Sequence, residues 1–395
     1  MVSESVHSGA NVIRILFAGA LILTLVILGF SLIGGANAPA PAGAVLLNTA
    51  GDPAGYARAV EPWDWQFPVD FGAHPEFQTE WWYYTGNLAT EEGRRFGFQF
   101  TIFRRSITPA VEATESEWRT NQVYMAHFAV SDIADQRFFH ESRLVRGAAD
   151  LAGAVLTPNY RVWLEDWGIS GLNPEATLTQ IQARGGEFAL NLTLEQTKPP
   201  ALHGDDGLSA KSDQVGNASY YYSLTRLLTR GEVRIGEQTY SVTGAAWKDH
   251  EFGTSALGED ALGWDWFGLQ FDDGRELMVG QIRLLDGGKD PYFGGLLINA
   301  DGSTRVLPAD AIVIDAQGSW TSPHTGATYP AGWTMQIDVG TAAPLVLEVT
   351  PLMADQELHD GGIAYWEGAV QIAGSATGYG YAELTGYADS LNGRF

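Results

Sequence analysis

Period-two alternation of apolar with polar or small residues constrains this chain more than any other feature. Phe96, Phe98, Phe100 and Ile102 alternate with Gly97, Gln99, Thr101 and Phe103, and Phe188, Leu190, Leu192 and Leu194 alternate with Ala189, Asn191, Thr193 and Glu195. A strand sends successive side chains to opposite faces, so such runs bury one face and leave the other mostly polar, as antiparallel sheets require. Turn signals separate the runs at Glu92-Gly93, Arg184-Gly185-Gly186, Asp273-Gly274 and Asp301-Gly302. From Trp63 onward the pattern is β, and long helical periodicity is confined to the leader. Many evenly spaced strands with two-sided cores predict a sandwich or barrel.

The chain also repeats itself. Trp82-Tyr83-Tyr84-Thr85-Gly86-Asn87-Leu88, a turn at Gly93-Arg94 and Phe96-Gly97-Phe98-Gln99-Phe100 form one hairpin. Trp264-Asp265-Trp266-Phe267-Gly268-Leu269-Gln270, a turn at Gly274-Arg275 and Leu277-Met278-Val279-Gly280-Gln281 echo it. Phe188–Leu194 before Pro199 is matched by Leu345–Val349 before Pro351, and Gly244-Ala245-Ala246-Trp247 by Gly380-Tyr381-Ala382-Glu383. The spacing is too long for a solenoid. It predicts two copies of one β domain, at 60–228 and 229–395.

Composition narrows the function classes. The 395 residues carry a formal net charge of −24, which repels phosphate backbones and sets nucleic acid aside. There is no cysteine, hence no disulfide, thiolate metal site or cysteine nucleophile. Residues 1–42 read as a targeting segment and Ala/Pro linker. Ile15–Ile33 is apolar apart from Thr24 and Ser31, long for a signal core and about right for one membrane span. Ala36-Asn37-Ala38 and Ala40-Pro41-Ala42 offer cleavage sites. A cleaved signal peptide and a retained transmembrane anchor both export the rest of the chain to the periplasm or another extracytoplasmic space.

The densest chemistry lies at Trp247-Lys248-Asp249-His250-Glu251-Phe252-Gly253 and Gly263-Trp264-Asp265-Trp266. An indole-walled carboxyl loses hydration, which favours its neutral, proton-donating form. In an extended strand Trp247, Asp249 and Glu251 share one face, and Lys248 and His250 the other. Asp249, His250, Asp265 and Glu251 are the candidate catalytic residues. Trp247, Trp264 and Trp266 are candidate cavity walls, with Tyr221 of the Tyr220-Tyr221-Tyr222 run, His127 and Glu80 as candidate ligand-binding residues. The alternative is that Asp249 and His250 bond backbone at a strand end and hold two barrels in register. Trp82 reads as a packing plug. Glu367 and Glu383 need partners if buried, and Arg275 and Arg283 are available. His203-Gly204-Asp205-Asp206-Gly207 reads as a polar turn or an acidic cation-binding loop. No Gly-x-Ser-x-Gly elbow, His-Glu-x-x-His helix or Walker loop is present, so no metal or cofactor is assigned.

Glu80-Trp81-Trp82-Tyr83, Lys198-Pro199-Pro200-Ala201-Leu202-His203-Gly204, Asn217-Ala218-Ser219-Tyr220-Tyr221-Tyr222-Ser223, Trp247–Gly253, Gly263–Trp266 and Tyr365-Trp366-Glu367-Gly368 resemble the AttH-like, lipocalin-like proteins. That group is related to the carotenoid 1,2-hydratases (hydroxyneurosporene synthases). The resemblance spans about residues 60 to 390. It implies an all-β fold of two tandem lipocalin-like (calycin) antiparallel barrels after an N-terminal hydrophobic helix, with a ligand site near their junction. Two functions follow as expectations. One is an enzyme, a hydro-lyase that protonates an alkene, or one of the predicted secreted hydrolases. The other is a carrier that binds a hydrophobic or amphipathic small molecule and serves ABC transporter components, since some members are encoded beside export-type ABC systems. An export segment argues against carotenoid hydration, which is expected on the cytoplasmic side.

Overall fold

A computed structural model describes residues 54–110, 116–254, 257–258, 260–360 and 362–391. The apolar stretch Ile15–Ile33 and the linker before residue 54 lie outside the described residues. Among the described residues the secondary structure is strand apart from two 3-10 turns, and no helix is long and apolar enough to cross a membrane.

The first sheet comprises β1 (Thr79–Ala89), β2 (Arg95–Ser106), β3 (Gln122–Asp132), β4 (Arg137–Arg146), β5 (Ala152–Val155), β6 (Arg161–Leu164), β7 (Trp167–Gly171), β8 (Leu178–Arg184), β9 (Phe188–Gln196), β10 (Ala201–Leu202), β11 (Leu208–Ala210), β12 (Ala218–Ile235) and β13 (Gln238–Gly253). The second half comprises β14 (Ala261–Phe271), β15 (Glu276–Leu284), β16 (Gly295–Ile298), β17 (Thr304–Leu307), β18 (Ile312–Ala316), β19 (Ser319–Thr321), β20 (Thr328–Pro330), β21 (Trp333–Ile337), β22 (Leu345–Pro351), β23 (Glu357–Leu358), β24 (Tyr365–Gly374) and β25 (Gly378–Leu384). In both halves the last strand returns to pair with the first, β13 with β1 and β25 with β14. Each half is a nearly closed antiparallel barrel, and closure removes most of the exposed strand edge.

The boundary expected at 228/229 falls inside β12, which pairs with β9 on one side and β13 on the other. The change of sheet comes between Gly253 and Ala261. The repeats themselves are aligned by their turns. Gly93 and Gly274 occupy equivalent turns with φ of 87° and 86°, and Leu88↔Phe96 matches Leu269↔Leu277. Tyr83 therefore corresponds to Trp264, and Trp82 to Gly263. Matching Trp82 with Trp264 instead slips the register by one residue, and a one-residue slip moves every side chain to the other face. Trp82 is accordingly fully buried inside the first barrel, whereas Trp264 faces outward.

Each barrel has its own core. Trp82, Tyr84, Phe98, Phe100, Ile181 and Leu192 belong to the first, and Phe267, Leu277, Trp333, Leu347 and Val370 to the second. A third cluster, including Tyr83, Tyr221, Trp247, Trp266, Ala369 and Tyr381, lies where the barrels' outer faces meet. The contact is close: a Cβ at Gly97 would lie 2.9 Å from the Ala369 Cβ. Polar pins cross it. Asn87 Nδ2 donates to the Gly380 carbonyl at 2.9 Å, and Ser131 Oγ to Gln356 Oε1 at 2.7 Å. Fully buried Glu276 of β15 accepts from Lys198 Nζ at 2.7 Å and Arg226 Nε at 2.5 Å.

Candidate active site

The alternation of β13 divides the residues singled out in the sequence between two environments. Lys248 and His250 point into the first barrel, and Trp247, Asp249 and Glu251 point out of it toward the second. His250 therefore does not touch Asp249. Its Nε2 lies 2.9 Å from Glu80 Oε1 and its Nδ1 2.9 Å from the Tyr222 hydroxyl. Glu80 likewise faces the first barrel's interior and not the space between barrels. Its other oxygen accepts from Arg104 Nε at 2.8 Å, and His74 Nδ1 lies 2.9 Å from Oε1. Burial opposes charge on Glu80, yet Arg104 and the two imidazoles hold its carboxyl well below the usual range. Burial pulls His74 down, but the Asp70 and Glu80 carboxylates outweigh it and raise the imidazole to about 9. Burial lowers His250 to about 4, so it is neutral. His74, Glu80 and His250 each present an atom within 4.8 Å of the others, a set that could hold an ion. The network is satisfied without one, because the Arg104 guanidinium and protonated His74 already neutralise Glu80. It plugs the first barrel, with Trp82 stacked on His250 at 5.0 Å between centroids.

Asp265 is placed in the second barrel's counterpart of this plug. It accepts from Arg283 Nε at 3.0 Å, Gln281 Nε2 at 2.8 Å and the Tyr387 hydroxyl at 3.1 Å. It is paired with Arg283 and does not line the cavity with Trp264 and Trp266, where the sequence had placed an acid. The reason is again strand alternation, since Asp265 lies between two outward-facing tryptophans.

What remains converges on one cavity between the barrels, enclosing about 150 Å³, the size of an engineered apolar cavity that accepts benzene. Strands β1, β3, β12 and β13 contribute Trp81, Tyr83, His127, Tyr221, Asp249 and Glu251. Strands β14, β24 and β25 contribute Trp264, Trp266, Tyr365 and Glu383. Lys211, Leu257 and Phe293 are partly exposed and mark the mouth. Trp247 stands behind this wall, edge-on to Trp266 with centroids 6.0 Å apart, and does not line the cavity. Tyr220 and Tyr222 turn away from it: the Tyr220 hydroxyl donates to the Glu61 carbonyl at 2.8 Å, and Tyr222 packs in the first core.

Asp249 is held by three donors. Ser223 Oγ at 2.5 Å and Trp247 Nε1 at 2.6 Å donate to Oδ1, and the Tyr221 hydroxyl at 2.8 Å to Oδ2. Burial dominates nevertheless and raises the carboxyl to about 7. Two donors saturate Oδ1, so the proton of the neutral form belongs on Oδ2, beside Tyr221. Glu251 lies next to it on the same face. Its Oε1 accepts from Ser219 and pairs with Lys211 Nζ at 2.8 Å. His203 is not part of a cation-binding loop; it is buried, with Nε2 2.6 Å from Ser223 Oγ and its ring stacked on Tyr221.

Sequence reasoning missed the second barrel's acids. Arg275 pairs with Asp273 and Arg283 with Asp265, so neither reaches Glu367 or Glu383. Burial, reinforced by the Asp249 and Glu251 charges, raises Glu383 to about 8. Burial and the adjacent Glu383 raise Glu367 well above the carboxylate range, and the nearby Tyr83 and Tyr365 hydroxyls only oppose this. The available signal was the repeat: Glu383 occupies in β25 the position of Trp247 in β13, opposite Trp266. His127, lowered to about 4 chiefly by burial, is neutral, with Nδ1 2.6 Å from the Tyr365 hydroxyl and Nε2 without a partner. The cavity thus offers two carboxyls from opposite walls that burial pushes toward their protonated form, with phenols and indole faces around them.

The sequence profile of the AttH-like family matches residues 58–387. The crystal structure of an AttH candidate from Nitrosomonas europaea aligns with 84% of this chain and 99% of its own, at TM-score 0.75 and 35% identity. Kievitone hydratase from Nectria haematococca aligns with 84% of this chain and 99% of its own, at TM-score 0.62 and 13% identity. CghA covers 80% of this chain and 90% of its own at TM-score 0.50 and 13% identity, and a second CghA structure contains Sch210972. At such identities these two show a shared fold alone. No curated protein sequence matches. The profile match and the 35%-identical structure together make this chain a member of the AttH-like family.

Proposed function

We propose that the inter-barrel cavity binds a hydrophobic or amphipathic small molecule and adds a proton to it, in a hydro-lyase reaction on an alkene. The observation that carries this is Asp249, a buried carboxyl raised to about 7 in an aromatic cavity. A general acid works best when it titrates near the working pH. In the proposed step the π electrons of the alkene take the Asp249 proton to form a C–H bond. The other alkene carbon becomes a cation facing Trp264 and Trp266, whose rings stabilise positive charge. Water adds to that carbon and returns its surplus proton to the Asp249 carboxylate, which restores the acid. Glu251 holds Lys211 at the mouth and takes no part in proton transfer. The fold shared with kievitone hydratase supports the reaction class by analogy only.

The test is incubation of wild-type protein and Asp249→Asn with lipophile mixtures in heavy water, followed by mass spectrometry. Alkene-derived alcohols carrying one carbon-bound deuterium, formed by wild type only, support the reading. Binding without any turnover by wild type refutes it. One observation favours a second reading: the Asp249 oxygens are already engaged by Ser223, Trp247 and Tyr221, as suits a binding wall with no reaction to perform. The chain would then be a carrier delivering its ligand to an ABC-type exporter. Export by residues 15–33 is proposed with either reading, and fractionation of cells expressing the full chain tests it.

A further inference from the structure

The polar groups of the cavity are unevenly matched in charge. Asp249, Glu251 and Glu383 line it against one cation, Lys211. Lys211 is committed to Glu251 at 2.8 Å, so among the described residues of the wall Asp249 and Glu383 have no cationic counterpart. Glu367 stands behind Glu383 as a further buried carboxyl, with the Tyr83 and Tyr365 hydroxyls beside it and no cation. The remaining titratable groups facing the cavity carry no charge: His127 is neutral, and burial raises the Tyr83, Tyr221 and Tyr365 phenols well above their usual range. His203, behind Tyr221, is likewise lowered by burial.

Two further observations point to a ligand. His127 Nε2 lines the cavity, is more than nine-tenths buried, and lacks a partner. The wall also receives a cation at its mouth, where Lys211 Nζ stands 5.2 Å from the Phe293 ring centre and 5.7 Å from that of Tyr221. Electron-rich ring faces attract cations most strongly where water is excluded.

We infer that the cavity prefers a ligand bearing positive charge on an apolar frame, such as a substituted ammonium, over its uncharged isostere, and releases protons as it takes the cation up. This rests on the reading of the cavity as the ligand site. Asp249 and Glu383 lose their protons on binding and become the counter-ions, while Trp81, Trp264 and Trp266 enclose the charged head. The proton linkage fixes the pH dependence. Affinity for the cation rises with pH while the two carboxyls are still being ionised, and levels off once they are ionised before binding.

The experiment compares phenyltrimethylammonium with tert-butylbenzene, which differ by a nitrogen in place of a carbon. Binding to the full chain is read by tryptophan fluorescence, and protons by calorimetry in two buffers of different ionisation enthalpy. The expected result is a cation bound about tenfold more tightly than its isostere at alkaline pH, with affinity falling toward acid and net proton release near neutral pH. The isostere should show neither dependence. In Asp249→Asn/Glu383→Gln, proton release and charge preference should vanish while tert-butylbenzene still binds, which also reports that the cavity has folded. Equal or tighter binding of tert-butylbenzene to wild type, or cation binding without proton release, overturns the inference and leaves the cavity as a neutral-ligand site. Failure of both probes to bind overturns the inference and the reading of the cavity together.

Discussion

Replacing Asp249 by asparagine should make the protein more stable while removing its proton donor. The side chain is fully buried, and its carboxyl is raised from 3.8 to about 7 by burial. Between those values the unfolded chain has released a proton that the folded chain keeps, so stability falls as pH rises. Above about 7 both states are ionised and the full penalty is present. A shift of about three units corresponds to about 4 kcal/mol, and relaxation around the charge reduces this to ~2–4 kcal/mol. Asparagine keeps the geometry. Its oxygen still accepts from Ser223 and Trp247, and its amide can donate to the Tyr221 oxygen, which then turns its own hydrogen toward the cavity. For a folded unit this large, a gain of that size raises the melting temperature by roughly 3–6 °C. Thermal melts of both proteins at about pH 8 and about pH 5 provide the assay, with the gain at the lower pH less than about half that at the higher. A variant that melts below wild type at the higher pH, or a difference independent of pH, would refute the claim that Asp249 is held as a neutral acid.

The first barrel's plug makes the opposite prediction. Glu80→Gln leaves Arg104 buried without its anion and His74 with Asp70 alone, and should cost about 3–5 kcal/mol in chemical denaturation; a loss below about 1 kcal/mol would sink the ion-pair account. His74 is raised from 6.5 to about 9, so its contribution is fully present below 6.5 and lost as pH rises through about 9. Melting curves of His74→Gln should lack the decline that wild type shows across that window. His250→Gln and Asp265→Asn act on faces turned away from the cavity, so probe binding there should stay within about twofold even though both melt earlier; abolished binding would contradict the face assignment. Ser223→Ala removes a donor from Asp249 and should move the midpoint of any Asp249-dependent pH profile upward, which titration of probe binding would reveal.

The architecture was largely legible because it depends on local periodicity. Alternation at Phe96–Ile102 and Phe188–Leu194 lies in β2 and β9, where one face packs into the first core. The echo of Gly244–Trp247 by Gly380–Glu383 holds residue for residue in the pairing of β13 with β1 and β25 with β14. Followed to its end, that echo places β13 in the first repeat and corrects the 228/229 boundary. The one-residue slip between Trp82 and Trp264 was harder to see, because two aromatic-rich strands match nearly as well in either register. Only the turns at Gly93 and Gly274 decide it.

The acids were legible as residues and not as roles. Strand period tells which of Asp249 and His250 share a face, and so separates them. It cannot say which face meets a second barrel, since that depends on contacts between strands far apart in the chain. Asp249 and Asp265 look equivalent in the sequence, each beside tryptophan. The fold gives one a dry wall and three neutral donors, and the other an arginine. Glu383 looked like half of a salt bridge until both candidate arginines were found paired elsewhere. The sequence alone determined that strands form, that the pattern occurs twice and that acids and indoles are concentrated near its middle. Tertiary structure decided which carboxyls keep their protons, because ionisation depends on the water and charges that distant strands bring to or remove from each group.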